Sequence, residues 1–481
     1  MTTSRDTLFI GGQWTAPRSA ATIEVRNAST GEPIGTVPEA AEADADAAVA
    51  AARRAFDDPS GWSSWEPARR AAALGRLADE LEARAQDIGR LVSTQNGMPV
   101  ALSPVIEGMT PVGTLRYVIS LLASSPVEEE VPRFLGGDLV IRREPVGVIA
   151  GIVPWNYPQT LASFKYAPAL AAGNTIVLKP SPETVLDSYL FAEAVIAAGL
   201  PPGVVAVVPG GRELGAYLVQ HRDVDKVAFT GSTAAGRQIA EACGRLLRPV
   251  SLELGGKSAA IILDDADLDL AKIGQDLFAA TLVNNGQTCY AGTRILAPRS
   301  RYAEVVDTLA AFAASLPVGD ALDPATLIGP LVAERQRDRV ERYIAKGISD
   351  GARLVTGGGR PPGLDTGWFI EPTVFADVDN RSTIAQEEIF GPVLSVIEYT
   401  DEDDAIAIAN DSDYGLGGSV WTVDPDRARR VARRIRTGTV GINGYLPDPA
   451  GPWGGVKSSG LGRELGPGAV AAYQNLKTLY A

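Results

Sequence analysis

From residue 146 onward, the chain alternates short runs of consecutive apolar residues with longer segments in which apolar residues recur every three or four positions. The apolar runs lie at residues 146–153, 175–178, 204–208 and 226–229. A strand that is buried on both faces has such an uninterrupted run, and helices between successive strands make those strands parallel. The pattern therefore predicts an α/β domain in which helices cover both faces of a parallel sheet.

A second α/β series begins near residue 257 and includes a predicted helix over residues 268–284. The predicted strands of this series lie at residues 259–263, 293–297, 393–399, 418–422 and 438–443. Ahead of both series, the spacing of alanine and leucine predicts helices over residues 41–56 and 67–93. The expected fold class is α/β, with more than one domain.

The segment between these helices and the first sheet has a different pattern. Two β-like runs, at residues 129–135 and 138–143, flank the turn Gly136-Gly137. A two-stranded ribbon is only marginally stable in water. We therefore expect this ribbon to add to another sheet, such as one of a partner subunit.

Composition and charge exclude several classes of protein. The 481 residues are 45% hydrophobic and 21% charged, which suits a globular chain of two large domains or three smaller ones. The formal net charge of −14 opposes sequence-independent binding to nucleic acid. No uncharged apolar run is long enough to span a membrane and the start has no secretory pattern, so we expect a cytoplasmic protein.

Residues that could bind a metal or act as a thiol nucleophile are few. The chain has two cysteines, Cys243 and Cys289, and one histidine, His221. Three such ligands at unrelated spacings do not make a typical zinc site, so we expect no metal. If a cysteine is the nucleophile, its base is expected not to be histidine, which disfavours papain-like chemistry.

Three polar stretches follow predicted strands, and the carboxyl ends of parallel strands line ligand crevices. In residues 154–158 the amide of Asn156 could donate to an oxyanion, although a turn packed by aromatic rings has the same pattern. In residues 179–183, Lys179 and a nearby carboxylate could hold ribose hydroxyls or a phosphate. In residues 229–236 a strand leads into a helix whose free amides suit a pyrophosphate, although a capping turn would look the same.

Glu253 and Cys289 are the candidates for a base and a nucleophile. Glu253 lies among leucine and glycine, and partial desolvation of its carboxylate would make it a better base near neutral pH. Cys289 lies in a turn of small residues, where a thiolate is accessible, although an inert core cysteine is the alternative. Cys243 lies inside a predicted helix and is expected to be a core or helix-surface residue.

Seven motifs in a fixed order resemble those of the aldehyde dehydrogenase superfamily. Between residues 154 and 464 they are Pro-Trp-Asn, Lys-Pro-Ser, Phe-Thr-Gly-Ser, Glu-Leu-Gly-Gly-Lys, Gly-Gln-x-Cys, Glu-Glu-Ile-Phe-Gly-Pro-Val and Gly-x-Gly-Arg-Glu. The resemblance implies a Rossmann-like NAD(P)-binding domain over residues 1–126 and 146–256, and a catalytic domain over residues 257–460. It also implies an oligomerisation element over residues 127–145 and 461–481, and hence a homodimer or homotetramer.

The resemblance implies oxidation of an aldehyde to the carboxylic acid with reduction of NAD(P), through a thiohemiacetal and a thioester on cysteine. Cys289 would be the nucleophile, and Asn156 with the Cys289 backbone amide would form the oxyanion hole. Glu253 would activate water, and Glu464 would relay protons from it. The residues implied to bind the dinucleotide are Trp155, Lys179, Ser181, Glu183, Gly211, Gly215, Thr230, Gly231, Ser232, Leu254, Glu388 and Phe390.

Two other functions are compatible with the same resemblance. One is an acylating enzyme that transfers the product to coenzyme A, but Glu253 favours release of a free acid because acylating relatives usually lack this glutamate. The other is a structural relative without turnover, which the presence of Cys289, Glu253 and Asn156 disfavours.

One departure from the family pattern concerns the coenzyme. Many NAD-dependent members carry an acid three residues after the lysine, where this chain has Pro182, and the acid here is Glu183. A carboxylate that bonds both ribose hydroxyls excludes a 2′-phosphate by charge repulsion, whereas its loss would let Lys179 and Ser181 accept one. We expect NAD, with NADP as the alternative.

The positions that match the family's substrate tunnel are mostly large and apolar or aromatic, and none is charged. They are Tyr157, Leu161, Phe164, Thr288, Tyr290, Tyr445 and Trp453. The resemblance therefore implies medium-chain or aromatic aldehydes as substrates, rather than phosphorylated or dicarboxylic ones.

Overall fold

The computed structural model of the protein describes residues 4–123 and 125–480. The predicted domain ranges also include residues 1–3, 124 and 481, which lie outside the described residues. Within the described part the helices are α1 (Glu42–Asp57), α2 (Pro67–Ala83), α3 (Ala85–Asn96), α4 (Thr110–Leu122), α5 (Pro158–Ala172), α6 (Asp187–Ala197), α7 (Arg212–Gln220), α8 (Thr233–Arg245), α9 (Leu270–Thr281), α10 (Tyr302–Ser315), α11 (Glu334–Ser349), α12 (Thr383–Gln386), α13 (Glu402–Asn410) and α14 (Pro425–Ala432). A π-helical segment, Pro104–Met109, precedes α4.

The strands of the described residues form four sheets. In chain order they are β1 (Leu8–Ile10), β2 (Gln13–Thr15), β3 (Thr22–Arg26), β4 (Pro33–Pro38), β5 (Glu128–Pro132), β6 (Asp138–Pro145), β7 (Val148–Ile152), β8 (Thr175–Lys179), β9 (Val205–Val207), β10 (Lys226–Thr230), β11 (Val250–Glu253), β12 (Ala259–Ile262), β13 (Arg294–Pro298), β14 (Arg353–Thr356), β15 (Thr373–Ala376), β16 (Val393–Tyr399), β17 (Gly418–Trp421), β18 (Gly441–Ile442), β19 (Gly460–Leu461) and β20 (Gln474–Tyr480).

The first large sheet has the strand order β19-β11-β10-β7-β8-β9-β1-β2. Its five central strands pair in parallel, and β19, β1 and β2 add antiparallel at the two edges. One face packs on α2, α4, α5 and α6, and the other on α1, α7 and α8, where Cys243 is part of the core. Burial on both faces explains the uninterrupted apolar runs, and the predicted parallel sheet is confirmed.

The second large sheet has the order β14-β15-β16-β13-β12-β17-β18, with every pair parallel except β14 with β15. The second predicted α/β series is therefore confirmed, but the strand expected at residues 438–443 is reduced to β18. Asn443 has a φ of 51°, which bends the chain away from the sheet. At Gly438 a Cβ would lie 1.6 Å from the carbonyl oxygen of Gly454. The backbone at Gly438 therefore packs directly against the backbone of the loop that contains Gly454.

The ribbon predicted between the helices and the first sheet is present as β5 and β6. β5 ends at Pro132 and not at residue 135, because Arg133 already begins the turn by donating its amide to the carbonyl of Gly137. β20 pairs with β6 along its whole length, from Gln474 opposite Pro145 to Tyr480 opposite Leu139. The ribbon therefore joins a sheet with the chain's own C-terminal strand, and its contact with a partner subunit stays a prediction.

The helix predicted over residues 67–93 is two helices, α2 and α3, so that prediction of a single helix was wrong. The chain breaks at Arg84, whose φ of −104° and ψ of 1° are not helical. Buried apolar residues continue on both sides of the break, with Leu81 before it and Ile88 after it. Helical periodicity alone could not reveal the break for that reason.

No helix among the described residues combines the length and the apolar composition that crossing a membrane requires.

Candidate active site

The carboxyl ends of β7, β8, β10 and β11 meet at one edge of the first sheet, because these strands are parallel. The residues that follow or end these strands include Asn156, Lys179, Thr230 and Glu253. The loop that carries Cys289 reaches the same edge from the segment between α9 and β13. The crevice between the two large sheets therefore contains the three polar stretches, and also Glu253 and Cys289, that the sequence analysis singled out.

Asn156 ties the loop after β7 to the loop of Cys289. Its side-chain Nδ2 donates to the carbonyl oxygen of Gln287 at 3.0 Å. Its own backbone carbonyl accepts from Nδ2 of Asn96 at 3.0 Å and from Nδ2 of Asn284 at 2.9 Å. Because an amide nitrogen has two protons, one remains to point at a group bound near the thiol.

Two consecutive residues in the left-handed conformation shape the turn before Cys289. Asn284 and Asn285 have φ values of 53° and 61°, a region that asparagine tolerates better than most residues. The Asn285 side chain donates to the carbonyls of Gly97 and Pro330, both at 2.8 Å, and accepts from the Gly329 amide at 2.7 Å. These buried hydrogen bonds hold the strained turn in place and thereby orient the cysteine.

The Cys289 side chain is half-buried, and the Cys289 backbone packs closely against Gly256. A Cβ at Gly256 would lie 2.4 Å from the Cys289 carbonyl oxygen, so only glycine fits there. Burial raises the pKa of the Cys289 thiol well above its usual range, and the charges of Glu388 and Glu253 raise the pKa further. Hydrogen bonds from the backbone amides of residues 289 and 290 act in the opposite direction on that pKa.

Glu253 is a buried carboxylate without a hydrogen-bond partner among the described residues: neither of its oxygens has one. Burial, followed by the charge of Glu464, raises the pKa of Glu253 well above the ordinary glutamate value. Gly454 faces this carboxylate, and a Cβ there would lie 2.5 Å from Oε1. An unpartnered carboxylate of this kind can take a proton from a nearby water.

A buried ion pair lies behind Glu253. Nζ of Lys165 is 2.9 Å from Oε1 of Glu464, and both side chains are almost wholly buried. The same Nζ donates to Oγ1 of Thr230 at 2.6 Å. Lys165 and Glu253 also interact electrostatically, and the lysine opposes the rise in the pKa of Glu253. The Lys165–Glu464 pair therefore sets the charge around the candidate base.

Lys179 ends β8 with its ammonium group buried against backbone carbonyls. Its Nζ donates to the carbonyl of Pro180 at 2.9 Å and to that of Gly210 at 2.7 Å. Burial lowers the pKa of Lys179 to about 8, and the carboxylates of Glu183 and Glu39 oppose that shift. Gly211 donates its amide to Glu39, and Gly215 lies against the lysine stem, where a Cβ would be 3.5 Å from Cε.

Both carboxylate oxygens of Glu183, the acid that follows this lysine, have partners. Ser181 donates its hydroxyl to Oε2 of Glu183, and Arg335 forms an ion pair with Oε1. Arg335 belongs to α11, which packs on the second sheet through Val340 and Ile344. The Glu183–Arg335 pair therefore spans the crevice between the two sheets.

The β10–α8 junction is a glycine turn followed by a capped helix. Ser232 is the N-cap of α8, and its Oγ accepts from the Ala235 amide at 3.3 Å. At Gly231 a Cβ would lie 2.5 Å from the ring of Phe229, and Leu254 packs beneath at Gly236. The positive end of the α8 dipole faces the crevice mouth and suits an anion.

Glu388 and Phe390 line a small cavity with Thr288, next to Cys289, and Trp155 packs on Phe390. Oε1 of Glu388 accepts from the Gly256 amide at 3.1 Å, and a Cβ at Gly255 would lie 2.6 Å from Oε2. Burial raises the pKa of Glu388 to about 6. The Trp155 and Phe390 rings meet edge to face with centroids 5.2 Å apart, and Phe390 has a φ of 63°.

An apolar and aromatic pocket adjoins the thiol, and Cys289 packs against its wall. The rings of Tyr290, Tyr445 and Trp453 contact one another with centroids 4.8 to 6.5 Å apart. Oη of Tyr157 and Oγ1 of Thr288 share a hydrogen bond of 2.6 Å. The structure thus brings together all seven of the predicted pocket residues. Among the described residues no group of three or more His, Cys, Asp or Glu side chains could hold a metal ion.

A family model described as "Aldehyde dehydrogenase family" matches residues 14–479 of this chain. The chain belongs to the aldehyde dehydrogenase family. A geranial dehydrogenase of Castellaniella defragrans is 56% identical over 480 residues, covering 100% of this chain and 99% of the relative. A betaine aldehyde dehydrogenase of Rhizobium leguminosarum is 42% identical, covering 98% of this chain and 96% of the relative.

Solved aldehyde dehydrogenases have the same fold. One from Mycobacterium tuberculosis, complexed with NAD⁺, has a TM-score of 0.96 at 51% identity and covers 100% of this chain and 98% of its own. One from Pseudomonas syringae, a cysteine-to-alanine mutant complexed with NAD⁺ and octanal, has a TM-score of 0.94 at 41% identity, covering 98% and 96%. The protein is therefore an enzyme that oxidises aldehydes.

Several residues of this aldehyde dehydrogenase site were missed by the sequence analysis. Lys165 is one, although a lysine inside α5, every residue of which is buried, was a readable signal. Further pocket residues come from separate elements, and no local pattern marks them: Met98, Leu102, Ile106, Phe278, Val283, Leu416 and Leu465. Arg335 had no local signal either, because its partner lies 152 positions away in the chain.

Proposed function

We propose that this aldehyde dehydrogenase uses NAD to oxidise apolar medium-chain or aromatic aldehydes to free acids, with Cys289 as the nucleophile. The observation that carries the proposal is the convergence at one end of an apolar pocket of the Cys289 thiol, the Asn156 amide and the unpartnered Glu253 carboxylate. Buried apolar and aromatic side chains, among them Tyr290 and Trp453, pack against one another in that pocket.

The residues divide the chemistry into two half-reactions. The Cys289 thiolate adds to the aldehyde carbon, and the new oxyanion of the thiohemiacetal accepts hydrogen bonds from the Asn156 side chain and the Cys289 amide. Loss of hydride leaves a thioester on Cys289. Glu253 then takes a proton from water as the water adds to the thioester, the acid leaves, and the thiolate is regenerated.

The residues of the crevice fit a dinucleotide. Gly211 and Gly215 bring backbone without side chains close to the buried Lys179, which suits a ribose, and the start of α8 suits a pyrophosphate. Glu388, fixed by the Gly256 amide, and the paired rings of Trp155 and Phe390 suit the second ribose and the nicotinamide. When bound there, oxidised NAD supplies positive charge and accepts the hydride. Solved relatives bind NAD⁺ with this fold.

Substrate class is argued from the pocket lining. Six of its seven predicted residues are apolar or aromatic, and Tyr157 and Thr288 satisfy each other's hydroxyl groups, so the lining has little to offer a charged substrate. The name of the 56% identical relative, geranial dehydrogenase, and the octanal complex of another relative support the same class. Transfer to coenzyme A is disfavoured because a base, Glu253, is ready to activate water.

We also propose the division of labour among the sheets and the assembly of the chain. The first large sheet would bind the coenzyme and the second would carry the nucleophile. The ribbon of β5, β6 and β20 would join subunits into a homodimer or homotetramer, which its exposed apolar side chains support.

The proposed function is tested by steady-state kinetics with NAD on octanal, an aromatic aldehyde and a charged semialdehyde. We expect kcat/KM to be highest for the uncharged aldehydes and the free acid to be the product. Cys289→Ala should abolish turnover, and Glu253→Gln should lower kcat by about 10²- to 10⁴-fold. A preference for the charged semialdehyde would reject the substrate class. Full activity of the Cys289→Ala variant would reject the mechanism.

A further inference from the structure

The Glu183 carboxylate lies between two candidate partners for a coenzyme phosphate. Its Oε2 accepts from Ser181 and its Oε1 contacts Nη2 of Arg335. The Glu183 side chain is 19% exposed, whereas that of Arg335 is 59% exposed. The carboxylate is thus largely fixed within the crevice, while the guanidinium reaches it from the opposite wall and keeps most of its donors in solvent.

The charges around Lys179 come close to cancelling. Glu183 and Glu39 both act on the Lys179 ammonium, and Arg335 adds a second cation through its pair with Glu183. A lone carboxylate at this position would repel a 2′-phosphate strongly, whereas a carboxylate that shares its charge with an arginine repels it less. Guanidinium also binds phosphate with two parallel hydrogen bonds, which an ammonium does not.

We propose that Arg335 determines coenzyme choice: by pairing with Glu183 across the crevice, it reduces the discrimination against a 2′-phosphorylated dinucleotide. Toward NAD, a Glu183 oxygen accepts from a ribose hydroxyl with its second lone pair, beside the contacts to Ser181 and Arg335, and Arg335 itself contributes little. Toward NADP, Arg335 keeps its contact with Glu183 and uses its remaining guanidinium donors to bind the 2′-phosphate, beside the Ser181 hydroxyl. This inference rests on the proposed placement of the adenosine ribose beside Lys179.

Three variants separate binding of the phosphate by Arg335 from its repulsion by Glu183: Arg335→Gln, Glu183→Gln and the double variant. Arg335→Gln should lower kcat/KM for NADP by about tenfold or more, and should change kcat/KM for NAD by less than about threefold. Glu183→Gln removes the repelling charge and should raise kcat/KM for NADP by about tenfold. In the double variant most of the increase in kcat/KM for NADP should disappear, because the Arg335 guanidinium that would bind the 2′-phosphate is absent.

Binding without turnover is measured in parallel by calorimetry, with AMP and adenosine 2′,5′-bisphosphate as probes. Arg335→Gln should weaken binding of the bisphosphate selectively, and added salt should reduce the difference between the wild type and the variant. The matched control is Arg342→Gln, an exposed arginine on the same helix, which should leave both affinities unchanged.

The outcomes distinguish this inference from the proposed function. If Arg335→Gln lowers kcat/KM for NAD and NADP alike, or lowers neither, the inference is wrong, whereas the proposed function stands as long as the wild type reduces NAD. If the double variant keeps the full NADP gain of Glu183→Gln, Arg335 does not receive the phosphate. Failure of the wild type to reduce either coenzyme with any aldehyde would reject the proposed function itself.

Discussion

At the scale of single residues, burial governs the acid–base groups of this enzyme. Burial raises the pKa of Glu253, of the Cys289 thiol and of Glu388, and it lowers the pKa of Lys179. In every case burial disfavours the charged form of the group. The candidate nucleophile and base are therefore both held toward their protonated, less reactive forms at neutral pH.

The pH dependence of turnover follows from the directions of these pKa shifts. Thioester hydrolysis needs Glu253 as a carboxylate, so its raised pKa predicts that kcat falls as the pH falls through that pKa. Glu464 is the second cause of the shift, after burial. Glu464→Gln should therefore lower the pKa of Glu253 and move the acid limb of the kcat profile to lower pH. The limb is measured as steady-state kcat between pH 5 and about 9.

The control for this experiment is Glu241→Gln, an exposed glutamate on α8. It removes the same charge from the chain and should leave the profile unchanged. An acid limb that stays in place in Glu464→Gln, or moves to higher pH, contradicts the electrostatic role assigned to Glu464.

At the scale of elements, the start of α5 depends on a carboxylate from a distant segment. The N-cap Tyr157 makes no side-chain capping bond, and the first-turn amides of Gln159 and Thr160 instead donate to Oε2 of Glu107, at 2.8 and 3.4 Å. Glu107 lies in the π-helical segment and is fully buried, and burial raises its pKa to about 8. The residue directly before this capped turn is Asn156, so the cap also positions the candidate oxyanion donor.

Glu107→Ala should destabilise the protein and slow catalysis together. Loss of the acceptor leaves two amides at the helix start unsatisfied, which should lower the free energy of unfolding by about 0.5–2 kcal/mol. Displacement of Asn156 should lower kcat more than it changes KM. Urea unfolding and steady-state kinetics measure the two effects. Glu107→Gln keeps an acceptor oxygen and should retain most of the stability and most of the kcat. Equal losses in Glu107→Ala and Glu107→Gln would refute the capping role of Glu107.

At the scale of the whole molecule, every residue in the three-stranded sheet of β5, β6 and β20 is exposed or half-buried. Large apolar side chains lie exposed on β20, at Leu476, and in the turn between β5 and β6, at Phe134 and Leu135. An exposed sheet with a free edge favours pairing with another chain. This is the physical basis for the proposed oligomer.

A charge placed on that sheet should separate the subunits. Leu476→Glu should shift the mass measured by light scattering from the oligomer toward the monomer, because a carboxylate loses hydration when it is buried in an interface. Val423→Glu, at an exposed apolar residue elsewhere on the surface, is the matched control and should keep the wild-type mass. If the wild type is itself a monomer, the proposed assembly is wrong.

Much of this architecture could be read from the chain, because it depends on local patterns. Buried parallel strands are continuous apolar runs, so β7, β8, β10 and β16 were placed within about two residues. The break at Arg84 and the short β18 were not foreseen, because apolar periodicity persists through a change in backbone direction. The ordered motifs indicated the site residues, whereas Lys165 was overlooked although its burial in an apolar helix made it conspicuous.

The order of residues along the chain settles which side chains are available: a thiol at Cys289, carboxylates at Glu253 and Glu464, and aromatic rings for a pocket. It also determines that parallel strands place several of these side chains at one edge of the first large sheet. Folding in three dimensions decides which of these groups lose water and which gain partners. Glu253 is left unpaired while Glu464 meets Lys165, and Glu183 meets Arg335 across the crevice. Burial and pairing are properties of contacts between residues far apart in the chain, and a local pattern does not contain them.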